Sequence, residues 1–196
     1  MTIPQASSPP FEQFHFCPRC GTAFTRSEGP PNPRFAACDH CGFRLYFNIA
    51  CGLGALITDA DGRLLMVRRA KEPSKGLLGF PGGFADAGED AETGLRREVF
   101  EEVGLEVGVT EYLCSHQNLY AYRGTLYSVL DFFYICRVTS SGNDPLRLQS
   151  TEVTGFEWCV PDSLDPEDIA FPSMRYALRC YNLKGKSRQD ERAFPA

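Results

Sequence analysis

Gly83-Phe84-Ala85-Asp86-Ala87-Gly88-Glu89-Asp90-Ala91-Glu92-Thr93-Gly94-Leu95-Arg96-Arg97-Glu98-Val99-Phe100-Glu101-Glu102-Val103-Gly104-Leu105 is the stretch on which the fold of this 196-residue chain turns. Ala91, Leu95, Val99 and Val103 recur every four residues, which sets them in one apolar stripe of an α-helix over 91–103. Gly104 then supplies the stop. Glu98, Glu101 and Glu102 stand at i, i+3 and i+4, so at about 100° per residue they share one side of that helix. Three like charges so close repel, and a helix selected only for stability would interleave Lys or Arg at those steps. A solvated acidic face is one reading of such a triad. A site for a divalent cation is the other, and hard carboxylate oxygens suit Mg2+ or Mn2+. The apolar stripe lies beside the acidic side, so the helix can dock on a sheet and still present carboxylates to a cleft.

Immediately upstream, Gly76-Leu77-Leu78-Gly79-Phe80-Pro81-Gly82-Gly83 ends in a turn whose backbone can approach a ligand closely. Metal-holding acids beside a glycine-rich loop suit a pyrophosphate, whose oxygens complete the coordination. The whole stretch reads G-x5-E-x7-R-E-U-x-E-E-x-G-U (U an aliphatic residue), and at average residue usage a chance match is on the order of 10⁻⁹ per start position. It resembles the Nudix box. The resemblance covers roughly residues 45–183 and implies an α/β fold, an α/β/α sandwich with a mixed sheet. It assigns Glu98, Glu101 and Glu102 as metal-binding carboxylates, with the Gly83 carbonyl as a further ligand. Glu89 and Arg97 match the pair that braces loop against helix. The implied chemistry is Mg2+-dependent (or Mn2+-dependent) hydrolysis of a nucleoside diphosphate linked to another group. The proton acceptor for the attacking water is Glu102, Glu101 or, as in several Nudix relatives, an acid of a later loop. Glu152 in Ser150-Thr151-Glu152-Val153 is the candidate here.

Around this centre the texture alternates. Gly52–Thr58 and Arg63–Arg68 are apolar runs flanking Asp59-Ala60-Asp61-Gly62, which predicts a hairpin. Residues 70–88 read as a long loop, Leu126–Val138 and Phe156–Val160 as strands, and Ser173–Leu183 as a helix after Pro172. Residues 1–16 read as a flexible tail and 184–196 as a frayed C-terminal tail.

Nine cysteines divide by spacing. Cys17, Cys20, Cys38 and Cys41 form C-x2-C-x17-C-x2-C, with Gly21 and Gly42 after each pair. Two such turns bring four thiolates to one Zn2+, a closed and structural site. Residues 17–44 are therefore expected to form a small zinc ribbon whose intervening segment is a loop, with His40 a bystander. Such a short module needs a metal staple. Cys51, Cys114, Cys136, Cys159 and Cys180 lie in apolar stretches and are expected as small core residues of a protein in a reducing compartment.

A ribbon followed by a Nudix domain is similar to the NADH pyrophosphatase branch. That branch carries S-Q-P-W-P-F-P-x-S after the box, where this chain has Ser115-His116-Gln117-Asn118-Leu119-Tyr120-Ala121-Tyr122, without the signature. Tyr120 and Tyr122 are candidates to stack a base. Arg68, with Arg69, Lys71 and Lys75, precedes the glycine-rich turn and is a candidate phosphate contact. Candidate substrates are NADH, ADP-ribose and dinucleoside polyphosphates. The alternatives are hydrolysis of a nucleotide cap on RNA, with the ribbon gripping the strand, and a nucleotide-sensing module that does not cleave.

Composition sets outer limits. Hydrophobic residues make up 43% and charged residues 23% of the chain, an ordinary globular balance that excludes a largely disordered one. With 20 Lys+Arg against 25 Asp+Glu, net charge alone does not draw the chain to nucleic acid or an anionic membrane. The apolar runs are too short to span a bilayer, and the N-terminus lacks a basic stretch followed by an apolar one. The expected setting is cytoplasmic, with a nucleotide as small-molecule partner. A ribbon-mediated homodimer is what the family resemblance adds.

Overall fold

In a computed structural model, which describes residues 9–25, 34–139, 148 and 151–193, the elements run α1 (Pro10–Gln13), β1 (Phe35–Ala37), β2 (Arg44–Tyr46), β3 (Ala50–Ile57), β4 (Leu64–Arg69), β5 (Leu78–Gly79), α2 (Ala91–Val103), β6 (Val107–Tyr122), β7 (Thr125–Val138), β8 (Val153–Cys159) and α3 (Pro172–Ala193). Short 3₁₀ turns at Pro161–Ser163 and Pro166–Asp168 precede α3. The described residues fall in two compact units. The larger lies within Cys51–Asn118 and Val129–Ala196, the smaller within Thr2–Ala50 and Leu119–Ser128.

The larger unit is built on β3 and β4, whose side chains alternate between two cores. Leu53, Ala55 and Ile57 of β3 and Leu65 and Val67 of β4 pack with Leu95, Val99 and Val103 of α2. Leu56, Leu64 and Met66 point the other way and pack with Phe80, Phe133 and, from α3, Ala177 and Leu178. One helix on each face gives the expected α/β/α sandwich, and burial on both faces explains why these strands read as continuous apolar runs. Leu95, Val99 and Val103 are fully buried, which stabilises by about 1.5–3 kcal/mol each relative to exposure. Strand order is β3-β7-β6 in one sheet and β5-β4-β8 in the other, with β4 antiparallel to β5 and β8. A parallel bridge between Leu78 and Ile169 makes the arrangement mixed.

The smaller unit carries the antiparallel pair β1–β2, with Phe35 opposite Tyr46 and Ala37 opposite Arg44. Phe11 and Phe14 pack on the Phe47 ring, at centroid distances of 6.5 and 6.2 Å.

Several sequence expectations are corrected. The apolar runs around Asp59–Gly62 do turn there, but Thr58–Leu64 is a lone bridge, after which β3 joins β7 and β4 joins β8. A tight turn fixes chain reversal, whereas pairing follows the buried faces. The 16-residue strand β6 stands where no strand was read; polar residues interleave its apolar ones and mask the period. Residues 10–13 are helical, not loose tail, and β1 occupies part of the segment read as inter-cysteine loop. Residues 26–33 of that segment lie outside the described residues, as do 1–8, Ser150 and 194–196. The last helix continues ten residues past Leu183, through the expected frayed tail to Ala193. Of the five single cysteines, only Cys136 is fully buried; Cys51 is exposed and the other three half-buried.

Candidate active site and thiolate cluster

Helix α2 spans Ala91–Val103, as its period predicts, because local signals at both ends agree with it. The Asp90 carboxylate caps the start by accepting from the Thr93 N–H at 2.8 Å, and Gly104 ends it with φ 72° and its N–H on the Phe100 carbonyl. The loop before it lies along β3: the Leu53 N–H donates to Gly83 O at 2.8 Å and the Ala55 N–H to Pro81 O at 2.8 Å. Glycine is required at two points. A Cβ on Gly82, where φ is +140°, would stand 2.1 Å from the Leu53 carbonyl oxygen, and one on Gly83 would stand 2.4 Å from the Glu98 carboxylate. The loop is thereby pressed between strand and acids.

Arg97 organises the acids. Its Nη2 donates to Glu89 Oε1 at 2.6 Å and its Nε to Oε2 at 3.2 Å, a bidentate clasp. Nη1 donates to Glu98 Oε1 at 2.9 Å and Glu101 Oε2 at 3.3 Å, and Nη2 also reaches the Phe84 carbonyl at 3.2 Å. Glu89 in turn accepts from the Asp86 N–H at 2.7 Å. The bond from Arg97 holds the Glu89 carboxyl below its usual range, and the same acids, Glu89 first, hold the guanidinium above its own. Loop and helix are thus braced by one Arg–Glu pair.

Glu102 is the acid Arg97 does not reach. It is 8% exposed and accepts from the Gly82 N–H at 2.9 Å. Burial pushes its carboxyl up to about 7; the Gly82 N–H opposes the rise, and the charges of Glu98 and Glu152 add to it. Burial also raises Glu98, against the pull of Arg97, with Glu101 and Glu152 contributing. Glu101 is half exposed. The Glu152 charge therefore acts on both Glu98 and Glu102, although 50 residues separate it from Glu102 in the chain. Lys71 Nζ donates to Glu152 at 2.9 Å, and the Ala70 N–H to the Glu152 carbonyl at 2.8 Å. Among the described residues no three of the glutamates close to within 4.8 Å of one another, the spacing that the four cysteines reach. Their chemistry nevertheless fits a hard divalent cation: oxygen donors, partly buried, disfavouring one another's charge. The Gly83 carbonyl keeps one lone pair beyond its bond from Leu53.

Other candidates lie elsewhere. Arg68 pairs with Glu157 at 2.5 Å and donates to Gly76 O at 2.7 Å, which ties it to the β4–β8 pair. Of the basic residues named with it, Arg69 is the one whose charge acts on Glu102, and Lys71 the one that meets Glu152. Tyr122 is 48% exposed, with Arg123 over its ring at 5.4 Å. Both Tyr120 and Tyr122 belong to the smaller unit, whereas the glutamates belong to the larger. Sequence reasoning missed the Gly82 N–H and the Lys71–Glu152 pair; proline followed by paired glycines was the available signal for the first, and nothing local marks the second.

In the smaller unit all four thiol sulfurs of Cys17, Cys20, Cys38 and Cys41 lie within 4.8 Å of one another. Cys17 and Cys41 sulfurs are 3.7 Å apart, those of Cys20 and Cys38 3.6 Å. A tetrahedron with Zn–S of about 2.3 Å has edges of about 3.8 Å, so the cluster is spaced to hold such an ion. Gly21 donates to Cys17 O and Gly42 to Cys38 O, with positive φ of 74° and 70°, so the two turns repeat one geometry. Hydrogen bonds from Thr22 lower the Cys20 thiol to about 6. The Phe43 N–H pulls Cys41 down, but burial and its three neighbouring thiols push it up to about 12. His40 is exposed and outside the cluster.

The NUDIX domain family matches residues 51–179. An NAD-capped RNA hydrolase NudC of Pseudomonas aeruginosa is 36% identical over 166 residues, which is 85% of this chain and 55% of that protein. The chain thus spans about half the length of that relative. A CTP pyrophosphohydrolase of Escherichia coli is 32% identical over 134 residues, 64% of this chain and 90% of that protein. The crystal structure of a NUDIX hydrolase from Nitrosomonas europaea superposes with a TM-score of 0.65 at 22% identity, over 84% of this chain and 88% of that one, a likeness of fold. No described helix is long and apolar enough to cross a membrane. With its loop–helix acids braced by Arg97 and its sandwich complete, the chain belongs to the NUDIX domain family.

Proposed function

We propose that the chain is a pyrophosphohydrolase that cleaves the diphosphate of a nucleoside diphosphate linked to a second group. The observation that carries the reading is Glu98 and Glu102, buried or nearly so against the Gly82–Gly83 backbone, with the charge of Glu152 acting on both. Glu98, Glu101 and Glu102, with the Gly83 carbonyl, would hold Mg2+ (or Mn2+). Bound there, the ion supplies charge neutralisation on the diphosphate and Lewis acidity toward the attacking water. The chain's own residues supply position. Arg97 fixes the helix acids relative to the loop, and Gly82 and Gly83 let the diphosphate approach backbone. Glu152, held by Lys71, accepts the proton from water as it attacks phosphorus. Glu101 or Glu102 would take that role only if Glu152 proved dispensable. The four cysteines would hold Zn2+ and close the smaller unit, with no part in the bond cleavage.

The substrate panel that tests this is NADH, ADP-ribose, diadenosine tetraphosphate and CTP, each with and without Mg2+, products resolved by chromatography. Cleavage that requires Mg2+ and falls on the order of 10²-fold or more in Glu98→Gln and Glu101→Gln is expected. Metal-independent turnover, or no cleavage of any member, overturns the reading, the second in favour of a nucleotide sensor. The 36% identity to an NAD-capped RNA hydrolase favours one further panel member, an RNA carrying a 5′ NAD cap.

A further inference from the structure

Two single cysteines of the larger unit stand together, and the hydrolysis reading uses neither. Helix α3 lies along β6 in a ladder of contacts. The His116 and Tyr176 rings are 4.6 Å apart, and farther along Lys184 pairs with Glu111. Tyr176, Cys180 and Lys184 follow one another at four-residue steps, so they share one face of the helix with a rise of about 6 Å per step. Cys114 precedes His116 by two residues on β6, which puts it on the same side of the strand about 6.6–6.8 Å away. The two steps match, so the rung next to His116–Tyr176 sets Cys114 against Cys180. Cys114 also packs on the core that holds Ala177 and Leu178 of α3. The thiols act on each other directly. Burial pushes Cys114 up to about 12, and Cys180 adds to the rise through its charge and a hydrogen bond. The Tyr176 phenol is raised first by its own hydrogen bond to Cys180, which makes it the third member of the group. Both cysteines are half-buried, so a small reagent can reach the rung. The remaining single cysteines have other surroundings: Cys136 is fully buried with the charges of Arg96 and Glu92 acting on it, and Cys159 feels Glu157 and Arg68.

We propose that Cys114 and Cys180 form a dithiol that a hydroperoxide converts to a disulfide, clasping α3 to β6. It stands whether or not the larger unit cleaves a diphosphate. With hydrogen peroxide, the Cys180 sulfur attacks one oxygen; the O–O bond breaks, an S–O bond forms, and the products are a sulfenic acid and water. The Cys114 sulfur then attacks Cys180. The S–S bond forms, the S–O bond breaks, and the hydroxyl leaves with the Cys114 proton as a second water. Two thiols thus lose two electrons to one peroxide. The order follows from burial, since the thiolate is the nucleophile and Cys114 is held as the thiol. In a reducing compartment thiol exchange restores the pair, so the bond is a reversible modification and not a permanent staple.

The experiment treats the zinc-loaded full chain with graded hydrogen peroxide, blocks the remaining thiols with N-ethylmaleimide and maps unreduced peptides by mass spectrometry. A Cys114–Cys180 cross-link is expected at doses that leave the zinc bound, and dithiothreitol should remove it. The cross-linked chain should melt about 5–10 °C above the reduced one, because the bond closes a long loop. Cys114→Ser should stop at a Cys180 sulfenic acid that a 1,3-diketone probe traps, while Cys180→Ser should leave Cys114 unmodified at the same dose. Unchanged zinc content and melting temperature of the reduced variants show that they are folded. Absence of the cross-link at every dose overturns the proposal. Loss of zinc before the cross-link appears does so too, since the four-thiolate cluster is then the reactive site. A cross-linked chain that melts no higher than the reduced one overturns the clasp, and a trapped Cys114 sulfenic acid in Cys180→Ser overturns the order of attack. Diphosphate hydrolysis by the reduced chain is read separately, so failure here leaves that reading to its own assay.

Discussion

Removing the charge at Glu102 should stabilise the metal-free protein while abolishing its chemistry. Burial holds the Glu102 carboxyl at about 7 against an ordinary 4.5, so folding favours the protonated acid. At 1.36 kcal/mol per unit the displacement is worth about 3 kcal/mol. Because the folded value is the raised one, that contribution is complete below pH 4.5 and is lost as pH rises through 7. About 2 kcal/mol of it disappears between pH 5.5 and 8. For a chain of this size the metal-free protein should therefore melt roughly 4–8 °C higher at pH 5.5 than at pH 8. Glu102→Gln keeps an acceptor for the Gly82 N–H and removes the charge. It should flatten that pH dependence and melt several degrees above wild type at pH 8 in EDTA. Added Mg2+ should raise wild type at pH 8 by mass action and leave the variant unmoved. The assay is calorimetry over pH 5.5–8 in EDTA and then in Mg2+, beside turnover. A wild-type melting temperature that is flat or falls on acidification, or a variant that keeps the wild-type slope, refutes the argument.

Other perturbations have equally specific outcomes. Gly82→Ala meets the Leu53 carbonyl at 2.1 Å in a left-handed backbone and should cost on the order of 3 kcal/mol, read from the midpoint of urea unfolding. Arg97→Lys keeps the charge but cannot clasp both Glu89 oxygens; we expect turnover to fall at least tenfold with little change in KM, and an unaltered kcat would remove Arg97 from the loop brace. Glu152→Gln should lower kcat 10²–10⁴-fold with little change in KM, whereas an unchanged kcat moves the proton acceptor to Glu101 or Glu102. A strong chelator, or Cys38→Ser, should release about one zinc per chain and expose residues 9–50 to limited proteolysis while residues 51–118 resist; stoichiometry near zero would refute the zinc assignment.

Some of this molecule was open to reading because its signals are short-range. The cap at Asp90, the four-residue stripe and the stop at Gly104 all lie within one segment, and they agree, so α2 has its expected limits. The paired cysteines are equally local: each turn needs only two thiols and a glycine, and their spacing brings the sulfurs into one cluster. Reading was harder where residues act on partners distant in the chain. Arg68 and Lys71 look alike in sequence, yet one is consumed by Glu157 on β8 and the other meets Glu152. The strand β6 hides behind interleaved polar residues, and β3 and β4 part company because their partners lie elsewhere.

By itself, the sequence determined the acidic helix, its glycine-rich approach and the four-thiolate staple, since periodicity, capping and turn chemistry are properties of neighbours along the chain. The tertiary structure decided which acid is buried, that Gly82 answers Glu102, that the Glu152 charge acts on Glu98 and Glu102, and which faces of β3 and β4 meet which helix. Those depend on desolvation and through-space charge, which arise only when distant segments pack together.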